Sequence, residues 1–231
     1  MASKVPRHIA IILDGNRRYA RKLGLQIWKG HEFGLRKLEE LFSWCIELGI
    51  KEVTLYCFST ENFRRAKNEI DYLFGIFWKE FEKVRQGKGV FKDKVKLNVI
   101  GRINMFSKKM QKAMLEAMEK TKRNKALLVN FAMAYGGRQE IIDAFKKIIK
   151  NRNKIKPNEI NESLITKNLY LKSEPGLVIR PGGEIRTSNF LTWQSVYSEW
   201  VFMDKLWPEF TKEDLIRCVE EFSKRERRFG E

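Results

Sequence analysis

The feature that most constrains this chain is a series of short apolar runs, each followed by a stretch with helical spacing. Runs at 9–13, 53–58, 95–100, 127–133 and 177–179 are rich in Ile, Val, Leu and Phe and too short for helices, so they predict strands. Between the first two, Leu35, Leu38, Leu41, Phe42, Cys45 and Ile46 recur at helical spacing over 31–48, and Gly49 supplies the stop. Strand, helix and strand in succession make a βαβ unit. Further helices are predicted over 69–84, 107–122 and 139–150, and a last one begins near Thr211, whose hydroxyl can cap it. The alternation predicts an α/β fold, one domain over 1–231 with a mainly parallel central sheet flanked by helices. A chain of 231 residues, 43% apolar, can bury one such core, and it contains no internal repeat and no linker.

Two of these helices carry broad apolar stripes. In 69–84 the stripe is Ile70, Leu73, Phe74, Phe77, Trp78, Phe81 and Val84, widened by Tyr72 and Ile76 beyond an ordinary amphipathic face. In 107–122 it is Met110, Ala113, Met114, Ala117 and Met118. Core packing explains either stripe, and the alternative is the wall of a tunnel for a long hydrocarbon.

Charge and cysteine usage narrow the partners. Forty-six Lys and Arg against 29 Asp and Glu leave +17, which favours polyanions: nucleic acid, an anionic membrane surface or phosphorylated small molecules. Nucleic acid is not expected, because no zinc finger, RNP1-type strand or basic heptad helix is present. The basic run 146–156 also has no aromatic residue for base stacking. Three scattered cysteines form neither a disulfide framework nor a zinc knuckle and fit a reducing cytoplasm. With only His8 and His31 as imidazoles, a catalytic metal is expected to be Mg²⁺ held by carboxylate and phosphate oxygens. No apolar run approaches the roughly 20 residues needed to cross a bilayer. The run at 9–13 is too short for a signal peptide. A cytoplasmic protein is expected, touching the cytoplasmic membrane peripherally through 146–156, which holds six basic residues and no acid.

In a parallel sheet, ligands bind beyond the carboxyl ends of the strands. Those ends read Asp14-Gly15-Asn16-Arg17-Arg18, then 59–65 (STENFRR), Tyr135-Gly136-Gly137-Arg138, and 180–188 (RPGGEIRTS). Glycines let backbone N–H groups approach an anion and Arg forks grip phosphate oxygens, so these clusters point to more than one phosphate group. Neither a P-loop nor a G-x-G-x-x-G follows a strand, which excludes the commonest nucleotide folds. No Asp-Asp-x-x-Asp is present, so Asp14 is the carboxylate placed to serve a metal and a diphosphate, with an N-cap role as its alternative.

Residues 8–18 (HIAIILDGNRR), His31, 58–65 (FSTENFRR), 130–138 (NFAMAYGGR), 177–194 (LVIRPGGEIRTSNFLTWQ), Glu199, 206–210 (LWPEF) and 225–230 (RERRFG) together resemble the cis-prenyltransferase family, in order along nearly the whole chain. The resemblance implies a homodimer of α/β subunits with a hydrophobic tunnel. Such an enzyme condenses isopentenyl diphosphate onto an allylic diphosphate primer, farnesyl or geranylgeranyl, to make a long-chain polyprenyl diphosphate, the precursor of a glycosyl carrier lipid. The DGNRRY form at 14–19 is similar to archaeal and eukaryotic members and leans the primer toward geranylgeranyl.

By the same resemblance, Asp14 is catalytic and binds Mg²⁺, while Gly15, Asn16, Arg17 and Arg18 hold the allylic diphosphate, with His31 beside it and Tyr19 packed near the allylic chain. Arg180, Arg186 and Ser188, with Thr187, hold the diphosphate of the condensing unit, and Glu199 contributes to a metal site. Asn62 and Ser59 stand where the family places groups implicated in proton removal. An amide is a poor base, so Asn62 is expected to orient a proton relay or a diphosphate oxygen. Thr60, Glu61, Phe63 and Arg65 line the same site, Arg228 and Gly230 reach the partner subunit's site, and the helices 69–84 and 107–122 wall the tunnel. Ile27 stands where many members carry a diphosphate-binding Arg, so that contact is absent or passed to Lys29. A non-catalytic accessory subunit is the competing reading; retention of Asp14, Asn62, Arg180, Arg186 and Arg228 argues against it.

Overall fold

Strand β1 (His8–Ile12) is buried along its whole length, as a strand covered on both faces must be. The others are β2 (Glu52–Ser59), β3 (Val95–Ile100), β4 (Leu127–Tyr135), β5 (Leu177–Pro181) and β6 (Glu199–Met203). In the computed structural model, which describes residues 5–88, 94–150 and 155–225, they form one sheet of order β3-β4-β2-β1-β5-β6. Every pairing is parallel. The helices are α1 (Asn16–Lys22), α2 (Gly30–Glu47), α3 (Lys67–Arg85), α4 (Lys108–Thr121), α5 (Gly137–Lys150), α6 (Glu162–Asn168) and α7 (Lys212–Lys224).

The five strands expected from apolar runs are present, and β6 is an addition. It lies at the sheet edge with only Val201 buried, so it lacks the continuous apolar run of the inner strands. Helices α1 and α6, of seven residues each, were also invisible to a pattern that needs several turns. Thr211 caps α7 as expected: its hydroxyl accepts from the Asp214 amide, and the Asp214 carboxylate accepts from the Thr211 amide at 2.9 Å.

Period-two alternation assigns the two faces of the sheet. Ile9 and Ile11 join Val53, Leu55, Val129 and Leu177 in the larger core, which α2, α3, α4 and α7 cover. Ala10 and Ile12 face a smaller cluster with Tyr135, Leu171, Phe190 and Leu191. β1 is paired on one side with β2 and on the other with β5, so the chain leaves it in opposite directions. That is the switch point where a crevice opens beyond the strand ends, and Asp14 stands there.

Two close approaches fix this corner. The Trp207 amide donates to the Asp14 carbonyl at 2.9 Å, and the fully buried Trp207 indole donates to the Gly34 carbonyl at 2.8 Å. Gly34 makes this possible, because a Cβ there would collide with Asn16 Oδ1 and lie 2.8 Å from Trp207 Cδ1.

Gly34→Ala is therefore expected to destabilise the fold by about 1–3 kcal/mol through overpacking. Gly75→Ala, in α3 with open space around the added Cβ, is expected to be neutral or to stabilise by up to about 1 kcal/mol. Urea denaturation of both variants checks the contrast, and equal effects would contradict it.

Candidate active site

The site is organised by an ion pair between the ends of β1 and β5. Asp14 Oδ2 accepts from Arg180 Nη2 at 2.9 Å, while Oδ1 accepts from the Gly15 amide at 2.7 Å and from Arg18 Nη2 at 3.2 Å. Arg180 is only 3% exposed; its Nη1 donates to Ser188 Oγ at 2.8 Å and to the Arg186 carbonyl, and its Nε has no partner among the described residues. The N-cap of α1 is Gly15, with no side-chain cap, so Asp14 does not serve as the cap. Gly15 has φ +102°, a conformation that suits glycine, and its amide is already engaged by Asp14. An incoming anion is left with the later amides of the first turn and with Arg17 and Arg18.

A second cluster joins three elements around one acid. Glu69, 3% exposed in the first turn of α3, accepts from Arg65 Nη1 at 3.1 Å, and its Oε1 lies 3.6 Å from Arg17 Nε and 3.8 Å from His31 Nε2. Burial, reinforced by the charges of Arg65 and Arg17, pulls the His31 pKa down to about 4, so the imidazole is neutral near pH 7. Sequence reading missed Glu69, because an acid three positions into a helix looks like ordinary macrodipole chemistry.

Beyond β2, Ser59 and Asn62 form a reciprocal cap. The Asn62 amide donates to Ser59 Oγ at 3.2 Å, and Asn62 Oδ1 accepts from the Ser59 amide at 2.9 Å. With its carbonyl oxygen so engaged, Asn62 can offer the cavity its NH₂ group, a donor and not a base. Asn189, also missed, ties three strand ends together. Its backbone carbonyl accepts from the Gly137 amide at 2.7 Å, its Oδ1 accepts from the Arg138 amide at 2.9 Å, and its Nδ2 donates to Glu61 at 3.3 Å.

These groups ring the mouth of a cavity of about 880 Å³ that runs inward between α2 and α3. Asp14, Asn16, His31, Ser59, Glu61, Asn62, Arg65, Arg180, Arg186 and Ser188 line its polar end, and Leu38, Phe42, Leu73, Phe77, Phe81, Val84, Leu97 and Phe131 line its apolar interior. A polar recess of about 290 Å³ continues from the mouth past Gly15, Arg17, Arg18 and Arg21 to Glu184, the ion-pair partner of Arg186.

Some of the expected site residues lie away from the cavity wall. Phe63 packs into an aromatic cluster with Phe58, Phe74 and Phe106 and does not line the cavity. Tyr19 sits edge-on to Phe33 at 5.3 Å, and Thr60 and Thr187 also lie off both recesses. Helix α4 contributes nothing to the cavity wall; Met110 and Met114 are core residues. Glu199 begins β6 level with Leu177, at the end of the sheet opposite Asp14, and pairs with Arg225 at 2.6 Å. Within one chain it cannot share a metal with Asp14. Arg228 and Gly230 lie outside the described residues, as do 151–154 of the basic run.

An anion-gripping mouth at a switch point, continuous with an apolar cavity, defines a protein that holds an amphiphile by its charged head. The family described as "Putative undecaprenyl diphosphate synthase" matches residues 12–230. The chain is 46% identical over 233 residues to the tritrans,polycis-undecaprenyl-diphosphate synthase (geranylgeranyl-diphosphate specific) of Thermococcus kodakarensis, covering 99% of this chain and 88% of that one. It is 44% identical over 234 residues to the isoprenyl transferase of Thermus thermophilus, covering 98% and 89%. Its fold matches lavandulyl diphosphate synthase from Lavandula x intermedia, solved with dimethylallyl diphosphate, at a TM-score of 0.92, with 32% identity and 98% and 99% of the two chains covered. A probable undecaprenyl diphosphate synthase from Campylobacter jejuni matches at 0.83, with 35% identity and 99% and 100% covered. The chain belongs to the undecaprenyl diphosphate synthase family and is an enzyme of the cis-prenyltransferase class.

His31 and the buried His8 both have depressed pKa values in the folded state, so the unfolded chain binds more protons below about pH 6.5. The stability they contribute is complete above that pH and is lost as the pH falls, for His31 toward about 4. Denaturation midpoints are expected to drop between pH 7.5 and 5. His31→Asn should flatten the slope by up to about 1.4 kcal/mol per pH unit. An unchanged slope in that variant would contradict the assignment.

Proposed function

We propose that the chain extends geranylgeranyl diphosphate with isopentenyl diphosphate units, forming a cis double bond at each step and releasing a long-chain polyprenyl diphosphate. The observation that carries this reading is the continuity of the arginine-lined mouth with the apolar cavity between α2 and α3, which suits a diphosphate head and a hydrocarbon tail. The geranylgeranyl primer is supported by the archaeal relative named above and by the DGNRRY form of 14–19.

Arg17, Arg18 and the first-turn amides of α1 are placed to hold the allylic diphosphate. As the double bond of the condensing unit forms its new bond to C1 and the bond between C1 and the ester oxygen breaks, the electron pair passes to the departing diphosphate, and guanidinium groups fixed beforehand stabilise that charge. Arg180, Arg186 and Ser188 would hold the condensing unit. The proton that it loses needs an oxygen base, and the Asn62 NH₂ is suited to orient a diphosphate oxygen for that task.

Mg²⁺ fits at Asp14, because a partly exposed carboxylate beside a diphosphate site is the donor set this cation takes. When bound, it would neutralise leaving-group charge. A second copy of the chain would cover exposed apolar residues on α5, among them Ile142, Phe145 and Ile149, together with Val196 and Tyr197. Peripheral contact with anionic lipid is supported by Lys146 and Lys150 on the exposed part of α5. No helix among the described residues is long and apolar enough to cross a membrane.

The test is incorporation of radiolabelled isopentenyl diphosphate with Mg²⁺ and each allylic primer in turn. Long organic-extractable products are expected with geranylgeranyl diphosphate, abolished by EDTA and reduced about 10²–10³-fold in Asp14→Asn. Asn is preferred to Ala because it spares Arg180 the loss of its only side-chain oxygen partner besides Ser188. No incorporation with any primer would favour the accessory-subunit reading.

A further inference from the structure

The loop after β5 carries Arg186 and Ser188 and takes a costly path to present them. Ser188, Asn189 and Leu191 have φ of +50°, +62° and +47°, values that persist only where surrounding groups over-determine the backbone. Arg180 grips the loop through Ser188 Oγ and the Arg186 carbonyl, and the Gly137 and Arg138 amides grip Asn189. These bonds leave the Ser188 carbonyl in need of a donor, and Tyr56 of β2 supplies one at 3.3 Å. No other hydrogen bond among the described residues reaches that carbonyl.

Tyr56 is firmly seated. Its ring stacks on the fully buried Phe190 of the same loop, with centroids 4.6 Å apart and planes 11° from parallel. Both rings meet Tyr135 edge-on, at 5.9 and 6.2 Å. Just past Tyr56 the pairing of β2 with β4 slips, so Cys57 and Phe58 both turn to the larger core while Tyr56 keeps to the smaller cluster. The hydroxyl lies 3.3 Å from the Tyr135 carbonyl as well, a length suited to one proton shared between two acceptors. Burial, with the charge of Glu61, pushes the phenol pKa up, so the group remains a donor at neutral pH. One side chain of β2 thereby joins the end of β4 to the loop after β5. A side chain placed only to fill the core has no use for the hydroxyl, since phenylalanine makes the same stack.

We propose that Tyr56 is a positioning residue for the condensing unit: through its ring on Phe190 and its hydroxyl on the Ser188 carbonyl, it presets Ser188 and Arg186 for the diphosphate of isopentenyl diphosphate. The inference rests on the reading above, in which Arg180, Arg186 and Ser188 hold that diphosphate. A small rotation of the Ser188 peptide displaces Ser188 Oγ and Arg186 together, and donors that must be reordered as the ligand arrives bind it less tightly. The effect falls on one substrate of the two. Arg17 and Arg18, which serve the allylic diphosphate, rest on Glu69 and Asp14 and make no bond to Tyr56 among the described residues.

The decisive variant is Tyr56→Phe, which keeps the stack and deletes the hydroxyl. Its KM for isopentenyl diphosphate is expected to rise about tenfold, equivalent to about 1.4 kcal/mol, with kcat and the KM for the allylic primer unchanged. Phe190→Leu, which loosens the stack and spares the hydroxyl, is expected to raise the same KM. Tyr170→Phe removes a phenol that donates to Asp143 from the same aromatic cluster and should leave all three constants as they are. Circular dichroism checks the folding of each variant. Calorimetric titration of isopentenyl diphosphate, with Mg²⁺ and an unreactive thiolodiphosphate analogue of the primer present, reads the tenfold change as a Kd. A folded Tyr56→Phe protein with unaltered KM and Kd for isopentenyl diphosphate, an equal rise in the primer KM, or the same shift in Tyr170→Phe would overturn the positioning role. An unsubstituted chain that binds isopentenyl diphosphate but makes no product would sink the polyprenyl synthase reading, and the titration would still decide the role of Tyr56. One that binds none would overturn both.

Discussion

A guanidinium taken out of water loses several kcal/mol of hydration unless charge and geometry compensate it. Arg180 is in that position, and three groups satisfy it: the Asp14 carboxylate, Ser188 Oγ and the Arg186 carbonyl. Each sits on a loop following a different strand or a different part of the same loop, so the end of β1 and the 182–190 segment are fixed relative to each other by one side chain. Trp207 then ties the Asp14 backbone to α2. Removing the Asp14 charge would leave the buried Arg180 guanidinium without a carboxylate, which makes the pair a device for geometry more than a source of stability.

The mouth is preset for anions without being a bare cluster of positive charge. Arg17 and Arg65 rest on Glu69, Arg186 on Glu184, and Arg18 and Arg180 on Asp14. These acids hold the arginines in place at a modest energy, and a diphosphate, carrying more charge than any one carboxylate, can compete for them. The net +17 of the chain acts at longer range, raising the local concentration of anionic substrates. Ser188, Asn189 and Leu191 have φ of +50°, +62° and +47°, strained values for residues other than glycine. The bonds made by Asn189 and Arg180 are what hold that loop in its conformation.

Local signals made most of the fold legible in the sequence. Buried parallel strands need apolar side chains on both faces, so β1 to β5 appear as runs, and the strand-end positions of Asp14, Asn62 and Arg180 follow from that. The edge strand β6 has one buried residue and gives no run. Glu199 opens that same strand, and nothing local assigns it to the far end of the sheet. Glu69 and Asn189 act through partners 52 or 51 positions away, Arg17 for the first and Arg138 for the second, and a pairing of that kind has no period.

The apolar stripe of α3 shows where periodicity stops being informative. Its width exceeds what one buried face requires, and the structure divides it in two. Phe74 and Trp78 turn toward α4, where Phe74 meets Phe106 and Lys109 Nζ lies 3.7 Å over the Trp78 ring. Leu73, Ile76, Phe77, Phe81 and Val84 turn toward the cavity. A core neighbour and a hydrocarbon ligand make the same demand on a side chain, namely that it exclude water, so a hydrophobic pattern cannot tell one from the other. Helix α4, with a stripe of ordinary width, has a single face to bury and spends it on the core. The excess width of α3 is what a helix needs when it packs one side on α4 and lines a cavity with another.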